Sequence, residues 1–309
     1  MKIFRIALAA GLIGALLFAP PYLVRISRSA VRTGVETVKT PDTAVSVTLW
    51  HIVSAKTYSG SLTKWLQSKA EMYEKKHRGV YLTVEGMTEP YYAERLAYGR
   101  APDGYSFFSG ALDTDALQPV GMTSEGLTEG LFDTTYAVPY AYSGYVSLSA
   151  TGNAPLPEAS AVAAIAAGAD GTVCDLRTAG DRMRNEEYGG AYAILPVGRF
   201  TDQVAWLGIA RGAGDEKAEA LRGFFAFLQE EKQQRSLSKL GAYPALSAAQ
   251  GETVVDRDVD AAYTAVETVD PFRYAACRDA LLSDAEAALA GDEESRERAL
   301  QRLREIFGK

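Results

Sequence analysis

The stretch Val45–Phe108, VSVTLWHIVSAKTYSGSLTKWLQSKAEMYEKKHRGVYLTVEGMTEPYYAERLAYGRAPDGYSFF, decides the fold class. Val45, Val47 and Leu49 alternate with Ser46 and Thr48, the period-two signature of a strand that ends near Trp50 and His51. Ser59 or Ser61 can cap a following helix whose apolar face is Leu62, Trp65, Leu66, Met72 and Tyr73. Lys75, Lys76, His77 and Arg78 load its last turn with positive charge and Gly79 ends it. Val80, Leu82 and Val84 alternate again. Thr88 and Pro90 open a second helix carrying Tyr91, Tyr92, Leu96 and Ala97, and Gly99 stops it. Pro102-Asp103-Gly104 then turns into the apolar strand Tyr105–Phe108. Strand, helix, strand, helix, strand predicts a mostly parallel α/β sheet.

Further along, EKAEALRGFFAFLQEEKQQRSLSKLGAYPAL covers Glu216–Leu246. Leu221, Phe224, Phe225 and Leu228 follow helical spacing and line one apolar stripe. A Gln-containing turn leads to a short second helix around Leu237 and Leu240. Gly241 can end it in a left-handed conformation, and Pro244 prevents a restart. Between these regions lie an Ala-rich helix (Ala159–Ala167) and strand-like segments at Thr172–Leu176, Ala191–Leu195 and Val204–Ala210. Beyond Asp279 the chain is charged and helical, with Leu281, Leu282, Leu289, Leu300, Leu303 and Ile306 as its apolar stripe.

Composition sets limits on function. The 309 residues are 47% hydrophobic and 23% charged, ordinary globular usage. A net charge of −7 argues against a nucleic-acid binder, which would show a basic face. Two cysteines, Cys174 and Cys277, are too few for a disulfide scaffold, although one bridge is open to an exported chain. His51 and His77 sit in no zinc-ligand spacing, so no metal or other cofactor is expected. Gly212-Ala213-Gly214 lacks the third glycine of a dinucleotide loop, and no nucleophile elbow or P-loop occurs. Glu186-Glu187 and Glu230-Glu231 read as solvated faces, not an acid–base pair.

At the N-terminus, Lys2 and Arg5 precede an apolar run from Ile6 to Val24, broken only by Pro20-Pro21. Its first part has the length of a signal-peptide core, and the whole is just long enough to span a bilayer. Residues 1–26 are therefore expected to be a signal peptide or membrane anchor, and 27–43 a linker. Arg25, Arg28 and Arg32 follow the run, and by the positive-inside tendency would favour a cytoplasmic body.

Several motifs, taken in order, resemble the extracellular solute-binding proteins of ABC importers, in particular the carbohydrate-type family. VTLWHI and YYAERLAYGRAPD resemble that family's opening strand and its helix ending in Gly-x-x-Pro-Asp. LQPV (Leu117–Val120) resembles its Leu-x-Pro-Leu segment, and YAVPYAYSGYVSLSATGN (Tyr136–Asn153) its crossing between lobes. Glu216–Leu246 resembles its late helix pair with the Gly-Ala-aromatic-Pro turn. The resemblance implies a two-lobed periplasmic-binding-protein-like (type II) α/β fold, preceded by the N-terminal hydrophobic helix. On that frame the first lobe is 44–135, the crossing or hinge 136–153, the second lobe 154–214, and a helical C-terminal section 215–309. The second lobe is short against the family's, so a reduced lobe is expected. The resemblance also implies a monomer outside the cytoplasm, tethered or secreted, that hands a small solute to ABC permease subunits. On family likeness and aromatic content the expected solute is a carbohydrate.

Such a binder holds its ligand at the carboxyl ends of strands and at the crossing. The candidates there are Trp50 and His51 after the first strand and Ser109 after the third. Tyr140 and Tyr142 stand in the crossing, Trp206 in a later strand, and Tyr243 in the Gly-Ala-Tyr-Pro turn. Each has a plain alternative. Trp50 is as readily a core residue at a strand end, and Trp206 more readily so. His51 suits a satisfied buried polar group, and Ser109 an ordinary turn. Two further readings stand beside the receptor. A degenerate receptor would contact a membrane sensor, and a hydrolase on the same scaffold would need His51 paired with a nucleophile or carboxylate.

Overall fold

A computed structural model of the chain describes residues 44–54, 57–122, 125–149, 173–184, 193–196, 200–255 and 257–307. The expected N-terminal helix, the linker and the Ala-rich helix lie outside these residues. Among the described residues no helix is long and apolar enough to cross a membrane.

In chain order the elements are β1 (Val45–Ile52), α1 (Leu62–Lys76), β2 (Val80–Met87), α2 (Glu89–Ala97), β3 (Gly104–Phe108), β4 (Leu117–Gln118), β5 (Ala137–Tyr142) and β6 (Tyr145–Ser149). They continue with β7 (Val173–Asp175), α3 (Leu176–Arg184), β8 (Ala193–Pro196), β9 (Phe200–Thr201), β10 (Val204–Ala210), α4 (Asp215–Leu228) and α5 (Glu231–Gln234). A 3₁₀ turn over Arg235–Leu240 leads to β11 (Tyr243–Pro244), α6 (Arg257–Ala262), β12 (Glu267–Thr268), α7 (Pro271–Leu289) and α8 (Glu293–Phe307).

The large sheet runs β11-β5-β10-β3-β1-β2, with β4 also on β10. β2, β1 and β3 are parallel, as the strand–helix alternation requires. β10, β5 and β11 are antiparallel additions, so the sheet is mixed where the sequence pattern predicts a mostly parallel one. The reason is topological. After β5 the chain leaves for a second sheet, β7-β6-β8, and returns through β9 into β10. Val204–Ala210, read from sequence as part of the second lobe, is thus a central strand of the large sheet, between β3 and β5.

Both faces of the large sheet are buried, and strand alternation divides two cores. Val47 and Leu49 of β1, with Ala205, Leu207 and Ile209 of β10, meet α1 and α4 on one face. Trp50 and Ile52, with Val204 and Trp206, face the other core. Leu221, Phe224, Phe225 and Leu228 supply the α4 stripe, as their spacing predicts. On α1 the buried set is Leu62, Trp65, Leu66, Lys69, Ala70 and Tyr73, whereas Met72 is exposed. Lys69 takes the inner position because Gln233 Oε1 accepts its ammonium at 2.9 Å and the Trp65 ring lies beneath it. Ser61, not Ser59, caps α1, through Lys64 N–H. Gly241 adopts φ 63° at the end of the 3₁₀ turn, the left-handed stop its position suggested.

Near Gly144 the chain passes between the sheets at three places. Ser143 N–H donates to Gln203 C=O at 2.9 Å, and Thr201 Oγ1 donates to Ser143 C=O at 2.6 Å. Tyr263, from the third passage, donates its hydroxyl to Tyr145 C=O and accepts from Tyr145 N–H, both at 2.7 Å. A Cβ at Gly144 would lie 2.1 Å from the Tyr263 ring. The α7–α8 hairpin packs through Tyr274, Leu281, Ala285, Ala299, Leu303 and Ile306 with Phe200 and Tyr145 on the small-sheet side of this waist. Cys174 and Cys277 are both free thiols, which closes the disulfide option left open by sequence.

Gly144→Ala is expected to cost roughly 1–3 kcal/mol, since a buried ring must shift to admit the methyl group. Gly212→Ala, with nothing within 4 Å of its added Cβ, is the control. Urea unfolding of both variants checks this, and equal midpoints would refute it.

Candidate functional site

β1 ends between β2 and β3, and the next two described residues, Val53 and Ser54, each wall a different cavity. The first cavity, about 320 Å³, is lined by His51, Val53, Thr57, Gly60, Ser61, Leu62, Thr63 and Arg177. The second, about 190 Å³, is lined by Ser54, Phe108, Ser109, Tyr145, Asp202, Gln203, Tyr274, Arg278 and Leu282. Their walls come from both sides of the waist. β1, β3 and the start of α1 form one side, while α3, the β9–β10 turn and α7 form the other.

The first cavity sits at the amino end of α1. Leu62 and Thr63 precede the helix's own hydrogen-bond ladder, so their N–H groups are open to a ligand. The first turn of α1 carries no acidic residue. Arg177 faces them from α3. Its Nε donates to Asp181 at 2.9 Å, and Arg184 donates to the same carboxylate at 2.9 Å. One carboxylate thus serves two guanidinium groups, and both pull its pKa down, the Arg184 hydrogen bond most. Arg184 also donates to Tyr58 C=O and lies over the Tyr58 ring, tying α3 to the β1–α1 loop.

His51 is 1% exposed and forms part of the cavity wall. It pairs in register with Ser106 of β3, which puts both on one face of the sheet. Nδ1 of His51 lies 2.9 Å from Ser106 Oγ, and Ser106 Oγ lies 3.0 Å from Tyr140 Oη. Tyr140 is fully buried, and Ser106 is its hydroxyl's only partner among the described residues. If His51 Nδ1 donated, either the Tyr140 or the Ser106 hydroxyl hydrogen would be stranded in the core, a loss of about 1–3 kcal/mol. We therefore assign the chain as Tyr140 Oη–H to Ser106 Oγ–H to His51 Nδ1, which leaves the ring proton on Nε2. Burial lowers the His51 pKa to about 4, against a smaller opposing effect of Ser106, so the ring is neutral at pH 7.

The second cavity has the opposite character. Asp202 accepts from Tyr145 Oη and Tyr274 Oη, both at 2.7 Å. Burial foremost, then the Asp202 charge, pushes both phenol pKa values up. Gln203 is 7% exposed and its Oε1 has no hydrogen-bond partner. Arg278 is engaged with Glu89 of α2 at 3.0 Å.

The residues singled out from sequence are distributed unevenly over this geometry. His51 lines the first cavity and Ser109 the second. Trp206 is wholly buried in β10 and donates its indole N–H to Ser109 Oγ at 3.0 Å, so it is no platform for a ring ligand. Trp50 is core, with Arg95 stacked 4.7 Å over it and Tyr92 at its edge. Tyr140 stacks on Trp65. Tyr142 and Tyr243 stack on each other, and Tyr243 on Tyr263, inside the waist. Sequence reasoning missed Arg177, Asp202, Gln203 and Arg278. None belongs to a local motif, and only the crossing of the chain brings them to the cleft. Ser61, named there as a cap, marked the helix start that lines it.

No known protein-family profile matches the chain, and no curated protein matches it. Solved structures do. A Staphylococcus aureus extracellular solute-binding protein in complex with maltose aligns over 87% of this chain and 98% of its own, at 8% identity and TM-score 0.56. The maltose/maltodextrin-binding domain of Bdellovibrio bacteriovorus, bound to maltotriose, aligns over 84% and 100%, at 12% identity and TM-score 0.53. The GacH receptor of Streptomyces glaucescens, solved with acarbose, aligns over 85% and 98%, at 15% identity and TM-score 0.53. The fold is that of the two-lobed solute-binding proteins. In such a fold the carboxyl ends of β1 and β3 are where a ligand is expected, and both cavities open there.

The buried His51 generates a pH expectation. Its folded pKa of about 4 lies below the ordinary 6.5, so the unfolded chain binds the proton first as pH falls. The stability from keeping the ring neutral is complete above pH 6.5 and is lost between 6.5 and about 4. Its size is about 3 kcal/mol. Chemical unfolding across that window should show His51→Asn losing less stability on acidification than the parent chain. Parallel curves would refute the assignment.

Proposed function

We propose that this protein is a solute-binding protein: it holds a small polar solute in the cleft around Val53 and Ser54 and delivers it to a membrane permease of the ABC type. The observation that carries the reading is the pair of adjoining cavities at the carboxyl end of β1, walled from both sides of the waist. The fold likeness to three sugar-bound receptors supports it. Closure of the two sides about the waist would enclose the solute. The receptor role places the protein outside the cytoplasm, tethered or secreted, and acting as a monomer. The aromatic side chains expected to stack on a sugar are turned into the core. Recognition therefore falls to hydroxyls, amides and charged groups, which serve a small sugar or another polar solute but give no stacking surface for a long oligosaccharide.

The hydrolase alternative set a condition on His51, and the side chain does meet a serine. Ser106 is nevertheless fully buried in the central strand β3, with its hydroxyl held between His51 and Tyr140. A nucleophile there has no path to a substrate, and among the described residues no carboxylate orients the imidazole. This geometry supports binding without covalent chemistry.

Full-length protein is expected to gain thermal stability from at least one member of a library of monosaccharides, disaccharides, sugar acids and amino acids. A ligand at 100 times its Kd stabilises by about 2.7 kcal/mol. Ser54→Trp, at an exposed position on the rim between the cavities, should abolish that gain while leaving the unliganded melting temperature unchanged. No stabilisation by any member would overturn the reading.

A further inference from the structure

The two cavities differ in hydrogen-bonding sense, and the difference specifies a solute. The first cavity's wall offers chiefly donors, beside the hydroxyls of Thr57, Ser61 and Thr63, which can donate or accept. His51 presents Nε2–H, because Nδ1 is spent on Ser106. The amino end of α1 presents the amides of Leu62 and Thr63, with the positive end of the helix dipole behind them. Arg177 presents its terminal Nη nitrogens, which have no partner among the described residues, since its ion pair with Asp181 runs through Nε. Among the described residues no carboxylate lines this cavity. In the second cavity the side-chain atom left without a partner is an acceptor, Oε1 of Gln203, and Asp202 beside it keeps further lone pairs, while Arg278 is paired through Nη1 with Glu89. Val53 and Ser54, adjacent in sequence, stand one in each wall.

We propose that the cleft takes an anionic solute, with its carboxylate or phosphate held by the α1 amino end, His51 Nε2–H and Arg177, and with hydroxyl or ammonium donors at its other end reaching Gln203 and Asp202. This inference rests on the solute-binding reading and narrows its ligand class to small acids that also carry donors, such as sugar acids, sugar phosphates and acidic amino acids. A neutral sugar would leave the helix end without a counter-charge and the Arg177 Nη groups without an anionic acceptor. A simple diacid would leave Gln203 Oε1 desolvated and unpaired.

The test is calorimetric titration of the full-length protein with glucose and maltose, with glucuronate, glucose 6-phosphate and glutamate, and with glutarate, which matches glutamate but lacks its ammonium. At least one of the three donor-bearing acids should bind at least 10-fold more tightly than either neutral sugar. If that ligand is glutamate, it should also exceed glutarate. Arg177→Gln should weaken the acid at least 10-fold, about 1.4 kcal/mol, and Arg177→Lys should restore part of the loss. Affinity should fall as salt rises from 50 to 500 mM. Arg177 is partly exposed, so its replacement leaves the fold intact, which an unchanged unliganded melting temperature verifies. Preferential binding of a neutral sugar, or an acid whose affinity is indifferent to Arg177→Gln, overturns this inference and leaves the solute-binding reading standing. Binding of none of these probes, nor of any member of the wider library, overturns both.

Discussion

The contact on which the rest depends is the seating of the Tyr263 ring on Gly144. Three passages of chain must run side by side at the waist, and a side chain at position 144 would hold them apart. With glycine there, the Tyr263 hydroxyl reaches both backbone groups of Tyr145, and Ser143 can exchange hydrogen bonds with Gln203 and Thr201. These bonds are buried, so each is costly to leave unmade. They fix where β6 departs and where β10 returns. That in turn puts Asp202 and Gln203 at the cleft and lets Tyr145 and Tyr274 share one carboxylate.

The same arrangement divides labour between the two halves of the cleft. The parallel part of the large sheet supplies strand ends and a helix amino terminus, which are donor-rich by construction. The returning passage supplies an amide oxygen and a carboxylate, which are acceptors. Polarity along the cleft is therefore a consequence of topology as much as of individual residues. The aromatic residues do different work. Tyr142, Tyr243 and Tyr263 form a stack within the waist, and Trp50 and Trp206 fill one face of the large sheet. Seventeen tyrosines in the chain look like ligand-binding capacity, yet Tyr140 and Tyr142 at the crossing are buried in the core.

Much of the fold was legible in the sequence. Alternation announced β1 and β2, a short apolar run announced β3, helical spacing announced α4, and Gly241 stopped the late helix pair where its position said it would. These signals are local: a strand's period and a helix's cap need only a few neighbouring residues. The misreadings share the opposite cause. Met72 looks like a core residue by spacing, but Lys69 holds the inner position because Gln233 and Trp65, remote in sequence or packed around it, satisfy its charge. Trp206 stood as a candidate beside the preferred core reading because its strand could not be assigned to a sheet from its own residues.

What the sequence by itself determined is the α/β class, the order of the first elements and the presence of His51 at a strand end. What only the tertiary structure decided is the mixed sheet, the waist and the polarity of the cleft. Strand direction in a sheet depends on where a chain returns after a long excursion. The direction of a hydrogen-bond chain such as Tyr140–Ser106–His51 depends on whether its ends are buried. Neither is encoded in any local pattern, because both are settled by contacts between residues tens to hundreds of positions apart.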